Sequence, residues 1–368
     1  MFGMFLLFAV TVMQSYVFWR VSTVPFVKKH IPGKFLMLGC LLLWACFFFS
    51  RIFGDNGIGS IAGVLEFISM TWMAMLFLVF MPFLLIDLVT GFGCLLPRYA
   101  PSARGLAFIA GLLFAAIALV QGLRPPIVEN YSIELSGLRN ELDGTTIVVV
   151  SDTHLGSLIG TKWLKARVVQ ISELKPDLIV LLGDISEGLG SPDEELLPVL
   201  NRLSAPLGVW AVLGNHEFHS HRNMSKSLLE KTSFHVLRNS WREVMPGLVV
   251  AGVDDLTSMR QAGRSDDLIA ESLKNRPQGT TILLSHTPWQ IEEAADAGVD
   301  VMLSGHTHGG QIWPFDYLVR LRYPFLEGSY KIKNMNLIVT RGAGTWGPRM
   351  RLWHPGEILR ITLHSKRK

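Results

Sequence analysis

The chain has 368 residues, of which 49% are hydrophobic and 17% are charged, and its formal net charge is +4. This length and composition favour a membrane protein with more than one domain over a single soluble domain. The positive charge lies in residues 1–125, which hold eight Lys or Arg and three acids. The other 26 basic and 27 acidic residues balance, so a nucleic-acid-binding protein is not indicated.

Four apolar stretches near the N-terminus are predicted to be membrane-spanning helices. They cover residues 2–19, 35–53, 62–88 and 105–121. Each has about the length that the hydrocarbon core of a bilayer requires. The first has no basic region before it and no small-residue cleavage site, which indicates a retained helix rather than a signal peptide. Soluble core helices are the alternative, but four such stretches within 125 residues leave almost no polar surface.

The basic residues between these stretches predict the orientation in the membrane. One side carries Arg20, Lys28, Lys29, Lys34, Arg98 and Arg104, and the other side carries Arg51 and Arg124. Because the side richer in Lys and Arg stays cytoplasmic, both termini and the second domain are expected outside the cytoplasm. Glu66 is either a functional acid within the membrane or a residue at its interface.

The segment "QGLRPPIVENYSIE" (121–134) indicates the end of the membrane region. Pro125 and Pro126 stop the fourth helix, and polar, extended residues follow them. We therefore place a transmembrane region with four helices at 1–122, a linker and the entry to the second domain at 123–144, and the second domain itself at 145–368. All three cysteines precede the linker, so the second domain has no disulfide and no thiolate metal site.

From residue 145 onward, short β-branched runs alternate with predicted helices at 162–175, 193–204 and 289–297, which is typical of an α/β sheet with buried central strands. Five runs end in polar side chains. These residues are Asp152, His154, Asp184, Asn215, His216, His286, His306 and His308. Active sites of such sheets lie beyond the carboxyl ends of the strands, so these side chains are expected to share one site.

Each of these motifs also has a purely structural interpretation. Asp152 or Asp184 can cap the following helix, Asn215 can be a turn residue, and a single histidine after a strand is commonly an ordinary one. Five strand ends of this kind, in this order, seldom arise by chance, and the set favours a metal site. His219 and His221, which lie beyond the "GNHE" turn, are predicted to be surface histidines.

The motifs D-x-H, G-D, G-N-H-[DE], an isolated His and G-H-x-H, in this order, resemble those of the calcineurin-like metallophosphoesterase superfamily over about residues 145–364. The ending "TRGAGTWGPRMRLWHPGEILRITL", together with a membrane anchor, is similar to the branch that contains the phosphodiesterases YkuE and YaeI. The resemblance implies a four-layer αββα domain, classed as α/β, that binds two divalent metal ions.

The resemblance also implies a role for each site residue. Asp152, His154 and His308 would bind the first metal ion. Asn215, His286 and His306 would bind the second, and Asp184 would bridge both. His216 would be near the phosphate and the leaving group, so His216, Asn215 and Asp184 are the expected catalytic residues. Glu187 follows the G-D glycine by four residues, where family members often have an acid, and no metal role is assigned to it.

The chemistry of the donors supports this interpretation independently. Two divalent cations about 4 Å apart can clamp phosphoryl oxygens, lower the pKa of a bridging water and present it in line with phosphorus. Mixed carboxylate, amide and imidazole ligands suit Mn, Fe or Zn better than Ca. His216 would stabilise the transition state or protonate the departing alkoxide.

We therefore expect a membrane-anchored phosphoesterase that cleaves phosphodiester or pyrophosphate bonds in lipid-linked or envelope substrates. The segment "IWPFDYLVRLRYPF" (312–325) follows the histidine pair and is rich in aromatic residues and Arg. It forms either a rim that contacts acyl chains and anionic headgroups or an ordinary surface loop. Arg341, Arg349 and Arg351 are either further headgroup contacts or solvated.

Three alternatives remain open. A UDP-2,3-diacylglucosamine hydrolase of lipid A synthesis belongs to the same superfamily, but it acts in the cytoplasm, against the predicted orientation. A catalytically silent binding scaffold usually lacks some ligands, whereas every motif position is filled here. A membrane sensor or transporter would need an ion pathway, and the four helices show no clear one.

Overall fold

The computed structural model describes residues 2–53, 60–187, 193–219, 228–229, 231–264 and 267–366. The chain divides into two compact units. Met1–Arg124 and Gly347–Leu352 form the first, which we call the helical unit, and Pro125–Trp346 and Trp353–Lys368 form the second, which we call the sheet unit. The short stretch Gly347–Leu352 therefore belongs with the N-terminal helices, although it lies near the end of the sequence.

The helical unit confirms the four predicted apolar helices. Its helices are α1 (Phe2–Ser22), α2 (Pro25–His30), α3 (Gly33–Phe53), α4 (Ser60–Thr90) and α5 (Ala100–Leu123). All except the short α2 are long and apolar enough to cross a membrane. A helix satisfies its backbone hydrogen bonds internally, which is what a chain in hydrocarbon requires. Phe47, Leu76 and Phe83 are buried where the helices pack together.

The sheet unit contains two six-stranded sheets. Their strands are β1 (Ile127–Leu135), β2 (Thr146–Val150), β3 (Leu178–Leu181), β4 (Val209–Ala211), β5 (His235–Val236), β6 (Ser240–Met245), β7 (Leu248–Gly252), β8 (Thr280–Leu284), β9 (Val301–Ser304), β10 (Gly328–Ile332), β11 (Met335–Val339) and β12 (Glu357–Ser365). The first sheet has the order β1-β12-β2-β3-β4-β5, and the second has the order β10-β11-β9-β8-β7-β6.

Parallel pairing brings the carboxyl ends of the central strands together within each sheet. In the first sheet β2, β3 and β4 are parallel neighbours, with Val149 opposite Val180. In the second sheet β7, β8 and β9 are parallel, with Ile282 opposite both Val250 and Val301. Because side chains alternate across each strand, both faces of these strands are available for packing.

Seven further α-helices are present in the part of the sheet unit that the structure describes. They are α6 (Thr161–Glu173), α7 (Asp193–Leu200), α8 (Asn215–His219), α9 (Leu256–Gln261), α10 (Leu268–Ser272), α11 (Ile291–Asp296) and α12 (Asp316–Arg320). Asp255 caps α9 by accepting a hydrogen bond from the Ser258 amide. The three predicted helical segments correspond to α6, α7 and α11.

Three apolar clusters define the layers. The central cluster combines residues of both sheets, such as Val149 and Ile282, so the sheets pack face to face. Val148 and Ile179 point the other way and pack with Val168 of α6, and a third cluster packs the second sheet against helices that include α9 and α10. Each fully buried Val or Ile contributes roughly 1.5–3 kcal/mol. The predicted four-layer αββα arrangement is confirmed.

The segment that the sequence analysis treated as a linker contains strand β1. It pairs in parallel with β12, with Ile127 opposite Glu357. Most of its residues are exposed or half-buried, as expected of the outermost strand of a sheet. Its polar sequence "VENYSIE" therefore reflects an edge position rather than an absence of structure.

Candidate metal centre

The eight residues singled out at strand ends all follow parallel strands of the two sheets. Asp152 and His154 follow β2, Asp184 follows β3, Asn215 and His216 follow β4, His286 follows β8, and His306 and His308 follow β9. The two sheets pack face to face, so these five loops lie at one edge of the sandwich. The structure brings all eight residues into one centre.

Three overlapping groups of side chains make up the centre. In each group, ligand atoms of all three members lie within 4.8 Å of one another. The groups are Asp152–His154–His308, His154–Asp184–His216 and Asp184–His286–His306. Asp184 and His154 each belong to two groups, so the centre is continuous. Asn215 joins it through Oδ1, which lies 3.2 Å from His286 Nε2.

The ring nitrogens in the centre point at one another. His154 Nε2 lies 3.0 Å from His308 Nε2, and His306 Nδ1 lies 3.3 Å from His286 Nε2. Asp184 Oδ2 lies 3.2 Å from His286 Nε2 and 3.9 Å from His154 Nε2. Nitrogen and carboxylate lone pairs that converge in this way are the donors that a cation binds.

The contacts of the outward-facing ring nitrogens determine which nitrogen of each histidine can bind a cation. His286 Nδ1 lies 2.7 Å from the Leu182 carbonyl oxygen, which can only accept, so Nδ1 donates and Nε2 keeps its lone pair. Tyr323 Oη lies 2.8 Å from His306 Nε2, which leaves His306 Nδ1 facing inward. This mixed set of carboxylates, imidazoles and an amide, without a thiolate, fits Mn, Fe or Zn.

The backbone at the strand ends is unusual. Five of the eight residues have positive φ: Asp152 (53°), His154 (47°), Asp184 (49°), His306 (72°) and His308 (52°). Such values are uncommon outside glycine and cost of order 1–3 kcal/mol each. They persist where the surrounding fold imposes them. The backbone strain is therefore concentrated at residues whose side chains converge in the centre.

Two glycines of the motifs provide the space that the centre needs. A Cβ atom at Gly214 would lie 2.2 Å from Asp184 Oδ1. A Cβ atom at Gly305 would lie 2.1 Å from Ser151 Oγ and 2.5 Å from Asp152 Oδ2. No other residue type fits at either position without moving an aspartate of the centre.

Glu187 contacts two histidines of the centre at once. Its Oε1 contacts His154 Nδ1, and its Oε2 lies 2.9 Å from His216 Nδ1. Burial opposes the charged form, but the charge and hydrogen bond of His154 hold the pKa of Glu187 well below its usual range. Burial also lowers the pKa of His216, but the charge of Asp184 and the hydrogen bond to Glu187 outweigh it and raise that pKa to about 10.

Glu217 supports the loops that carry the centre, and the sequence alone assigned it no role. It is fully buried, and its carboxylate accepts hydrogen bonds from the backbone amides of Asp184 (2.9 Å), Ile185 (2.8 Å) and Gly214 (2.7 Å). It therefore ties the loop after β3 to the loop after β4. Burial and the charge of Asp184 raise its pKa to about 7. Its place as the acid of the G-N-H-[DE] motif was the sequence signal that could have identified this role.

The aromatic segment after the histidine pair is partly exposed. Phe315, Tyr317, Leu318 and Leu321 present large apolar side chains to the surroundings. The same segment reaches the centre, because Tyr323 contacts His306 and stacks on Trp289 with ring centroids 5.9 Å apart. We call the exposed part, residues 315–321, the apolar rim.

The three arginines considered as headgroup contacts differ in their surroundings. Arg341 belongs to the sheet unit and binds Glu357 through Nε at 2.7 Å, with Glu129 and Glu327 also in ion-pair distance. Arg351 belongs to the helical unit and is almost completely buried. Burial lowers the pKa of Arg349. His221 and the side chain of His219 lie outside the described residues.

Comparison with known proteins agrees with the geometry. The family model of the calcineurin-like phosphoesterases matches residues 145–310. A metallophosphoesterase of Aquifex aeolicus (strain VF5) is 38% identical over 248 residues, which are 65% of this chain and 92% of that protein. The metallophosphoesterase YkuE of Bacillus subtilis (strain 168) is 32% identical over 278 residues, with 70% and 94% covered.

A third relative is described as a transmembrane protein. The "transmembrane protein with metallophosphoesterase domain" of Danio rerio is 31% identical over 270 residues, which are 70% of this chain and 62% of that protein. The chain thus spans less than two thirds of that relative. These matches support metal-dependent hydrolysis of phosphoric esters as the class of reaction. Together with the strand-end centre, they show that the chain belongs to the calcineurin-like phosphoesterase family, in its membrane-associated branch.

Proposed function

We propose that the protein is a membrane-anchored phosphoesterase that uses two divalent cations to hydrolyse phosphodiester or pyrophosphate bonds in lipid-linked or envelope substrates. The observation that carries this proposal is the convergence of seven potential ligands and one further histidine at the edge of the sheet sandwich. A family that hydrolyses phosphoric esters provides the class of reaction.

The proposed ligand roles follow the first and third groups of side chains, with Asn215 added through its contact with His286. Asp152, His154 and His308 would hold one cation. Asn215, His286 and His306 would hold the other. Asp184, which is grouped with His154 and also with His286 and His306, would hold both. When bound, the two cations would supply Lewis-acid chemistry, stabilising charge on phosphoryl oxygens and activating water.

His216 is the proposed general acid. Its backbone amide donates to Asp184 Oδ1 at 2.9 Å, and its Nδ1 is held by Glu187. With Nδ1 engaged by a carboxylate, Nε2 carries the proton that the leaving alkoxide needs. His216 Nε2 lies 4.0 Å from Asp184 Oδ2, so the ring is beside the proposed bridging carboxylate.

The apolar rim supports a lipid-linked substrate. Leu321 is 83% exposed and Tyr317 is 61% exposed. Large exposed apolar side chains of this kind suit the interface of a membrane, where aromatic rings and arginines are favoured. Through Tyr323 and His306 the rim is continuous with the metal centre. A phosphate on a lipid that contacts the rim would therefore be close to the centre.

We further propose that the sheet unit lies on the non-cytoplasmic side. The side on which α1 connects to α3 and α4 connects to α5 carries Arg20, Lys28, Lys29, Lys34, Arg98 and Arg104, in the connections or in the adjoining helix ends, against Arg51 and Arg124 on the opposite side. The positive-inside rule then retains the former loops in the cytoplasm. A cysteine introduced in the sheet unit would be labelled by an impermeant maleimide in intact cells.

Hydrolysis by the purified full-length protein tests the function. The substrates are bis-p-nitrophenyl phosphate, p-nitrophenyl phosphate, a panel of phospholipids and a polyprenyl pyrophosphate, each with Mn²⁺ or with EDTA. We expect metal-dependent cleavage that the His216→Ala variant loses by at least about a hundredfold. The matched control is His364→Ala, because His364 is half-buried on β12 and its ring pairs with Asp143 rather than with a residue of the centre.

Two results would contradict the proposal. Absence of turnover with every substrate, while two cations bind per chain, would indicate a binding scaffold. Turnover of the small diester alone, with no lipid hydrolysed, would retain the phosphoesterase but reject the lipid-linked substrate.

A further inference from the structure

A buried group of charges lies within the helical unit, apart from the metal centre. Arg20 at the end of α1, Asp87 near the end of α4 and Arg104 near the start of α5 are 3%, 0% and 6% exposed. None of them belongs to the proposed metal ligands. We call these three residues the interhelical charge cluster.

The carboxylate of Asp87 is fully engaged. Its Oδ1 accepts from Arg104 Nε at 3.0 Å and lies 2.9 Å from Arg104 Nη2. Its Oδ2 accepts from the Tyr16 hydroxyl at 2.5 Å and contacts Arg20 Nε. Asp87 therefore has no free lone pair directed at a further cation.

The cluster nevertheless carries one excess positive charge, because two guanidinium groups share a single carboxylate. Arg104 also donates from Nη2 to the Phe92 carbonyl at 3.0 Å. For Arg20, Nε faces the Asp87 carboxylate, whereas Nη2 is buried and finds no hydrogen-bond acceptor among the residues that the structure describes. Leaving charged donors of this kind without an acceptor in an apolar environment is costly.

The aromatic rings beside Arg20 stack on the flat face of its guanidinium group. The guanidinium carbon lies 3.6 Å from the centroid of the Trp19 ring and 5.6 Å from that of Phe92. A ring attracts the cation through its π-face but accepts no hydrogen bond along the N–H directions in the guanidinium plane. Nη2 of Arg20 thus remains a buried charged donor that an anionic oxygen of a ligand could satisfy.

We propose that the interhelical charge cluster binds the phosphate group of an anionic phospholipid. A planar guanidinium pairs with phosphate through two parallel hydrogen bonds, and the added negative charge neutralises the cluster. Exposed basic residues of α2, of the start of α3 and of the connection between α4 and α5 attract an anionic headgroup: Lys28, Lys29, Lys34 and Arg98. Trp19 and Phe92 are half-exposed beside Arg20, so they can contact the acyl chains.

The binding of lipid to the full-length protein tests this inference. The protein in detergent is titrated with phosphatidylglycerol, with phosphatidylcholine and with inorganic phosphate, and bound lipid is counted by native mass spectrometry. We expect phosphatidylglycerol to bind at least about tenfold more tightly than phosphatidylcholine, as one charge-assisted pair implies. Saturation by inorganic phosphate with the same affinity would overturn the lipid as the source of the phosphate.

Two substitutions should act in opposite directions. Arg20→Gln removes the guanidinium group together with its unsatisfied Nη2 donor, and it is expected to abolish the preference for phosphatidylglycerol. Asp87→Asn keeps an acceptor oxygen but raises the net charge of the cluster, so it is expected to tighten phosphatidylglycerol binding severalfold. The control is Arg242→Gln, an exposed arginine of β6 in the sheet unit, which should change affinity by less than about threefold.

The outcomes separate binding from a purely structural ion pair. Loss of phosphatidylglycerol preference in both Arg20→Gln and Asp87→Asn would overturn the proposal, as would an unchanged preference in Arg20→Gln. If either variant fails to fold, the wild-type titration decides, because a wild type that does not distinguish the two lipids contradicts the inference by itself. Hydrolysis of bis-p-nitrophenyl phosphate, measured alongside, reports the metal centre separately.

Discussion

Glu187 Oε2 and His216 Nδ1 lie 2.9 Å apart, and the other oxygen of the same carboxylate contacts Nδ1 of His154. One acid therefore orients a proposed metal ligand and the proposed general acid together. The position of the proton on His216 and the direction of the His154 lone pair depend on the same side chain.

Glu187→Gln should lower turnover by about 10–100-fold, because an uncharged amide holds the two imidazoles less firmly. The test measures kcat for bis-p-nitrophenyl phosphate at saturating Mn²⁺, together with the metal content of the purified protein. Full turnover at saturating metal would show that the carboxylate does not orient His216. Glu173→Gln, an exposed acid at the end of α6, is the control and should behave as wild type.

His216→Ala and Asp184→Ala should differ in metal content. His216 contributes to catalysis but not to the proposed ligand set, so its alanine variant should retain both cations while losing most turnover. Asp184 belongs to two of the ligand groups, so Asp184→Ala should lose at least one cation. Elemental analysis after dialysis measures the difference, and a fully loaded Asp184→Ala protein would contradict the assignment.

Gly305→Ala should impair the centre without any change in its donors. The added methyl group would overlap Ser151 Oγ and Asp152 Oδ2, so Asp152 must move. We expect weaker Mn²⁺ binding, by at least about tenfold, and a lower free energy of unfolding, by roughly 1–3 kcal/mol. Gly137→Ala is the control, because its nearest neighbour would be 3.9 Å away. Equal Mn²⁺ affinity in both variants would refute the close approach.

Glu217→Gln should destabilise the sheet unit. An amide group replaces one acceptor oxygen, so at least one backbone amide of the two loops loses its partner. The expected loss is about 1–3 kcal/mol in the free energy of unfolding, the usual cost of a buried donor without an acceptor. Chemical denaturation followed by tryptophan fluorescence measures it. A loss below about 0.5 kcal/mol, as expected for a surface position, would mean that Glu217 does not join the loops.

Leu321→Ser should separate lipid substrates from small ones. The side chain is 83% exposed, so its loss should leave folding and cleavage of bis-p-nitrophenyl phosphate unchanged. Activity on phospholipid or polyprenyl pyrophosphate in vesicles should fall severalfold, because less apolar surface enters the interface. Val169→Ser, an exposed apolar position on α6, is the control. An equal response of the two variants on vesicles would reject a role for the apolar rim.

Much of the fold could be predicted because its signals are local. Apolar runs of bilayer length indicate α1, α3, α4 and α5, and β-branched runs that end in Asp or His indicate five strands and their shared edge. The strand β1 was missed because an edge strand buries few residues, and its alternating polar residues resemble those of a linker. Local sequence does not show that β12 provides its partner more than 200 residues away.

The supporting contacts of the centre could not be predicted for a related reason. Glu187 and Glu217 lie beside recognised motifs, but their partners are set by how the loops meet in three dimensions. Glu217 accepts from the amides of Asp184 and Gly214, which belong to two different strand ends. Likewise Arg341, which the sequence offered as a headgroup contact, is held by Glu357 of β12.

The positive φ values at five of the eight strand-end residues have a consequence for metal exchange. The free energy needed to aim these side chains is spent when the sheets fold, before any cation arrives. A cation then orders little further chain on binding, so the entropic cost of binding is small. Replacement of one divalent ion by another should accordingly proceed in the folded protein, with selectivity set by ligand chemistry and by the supply of metal rather than by refolding of the loops.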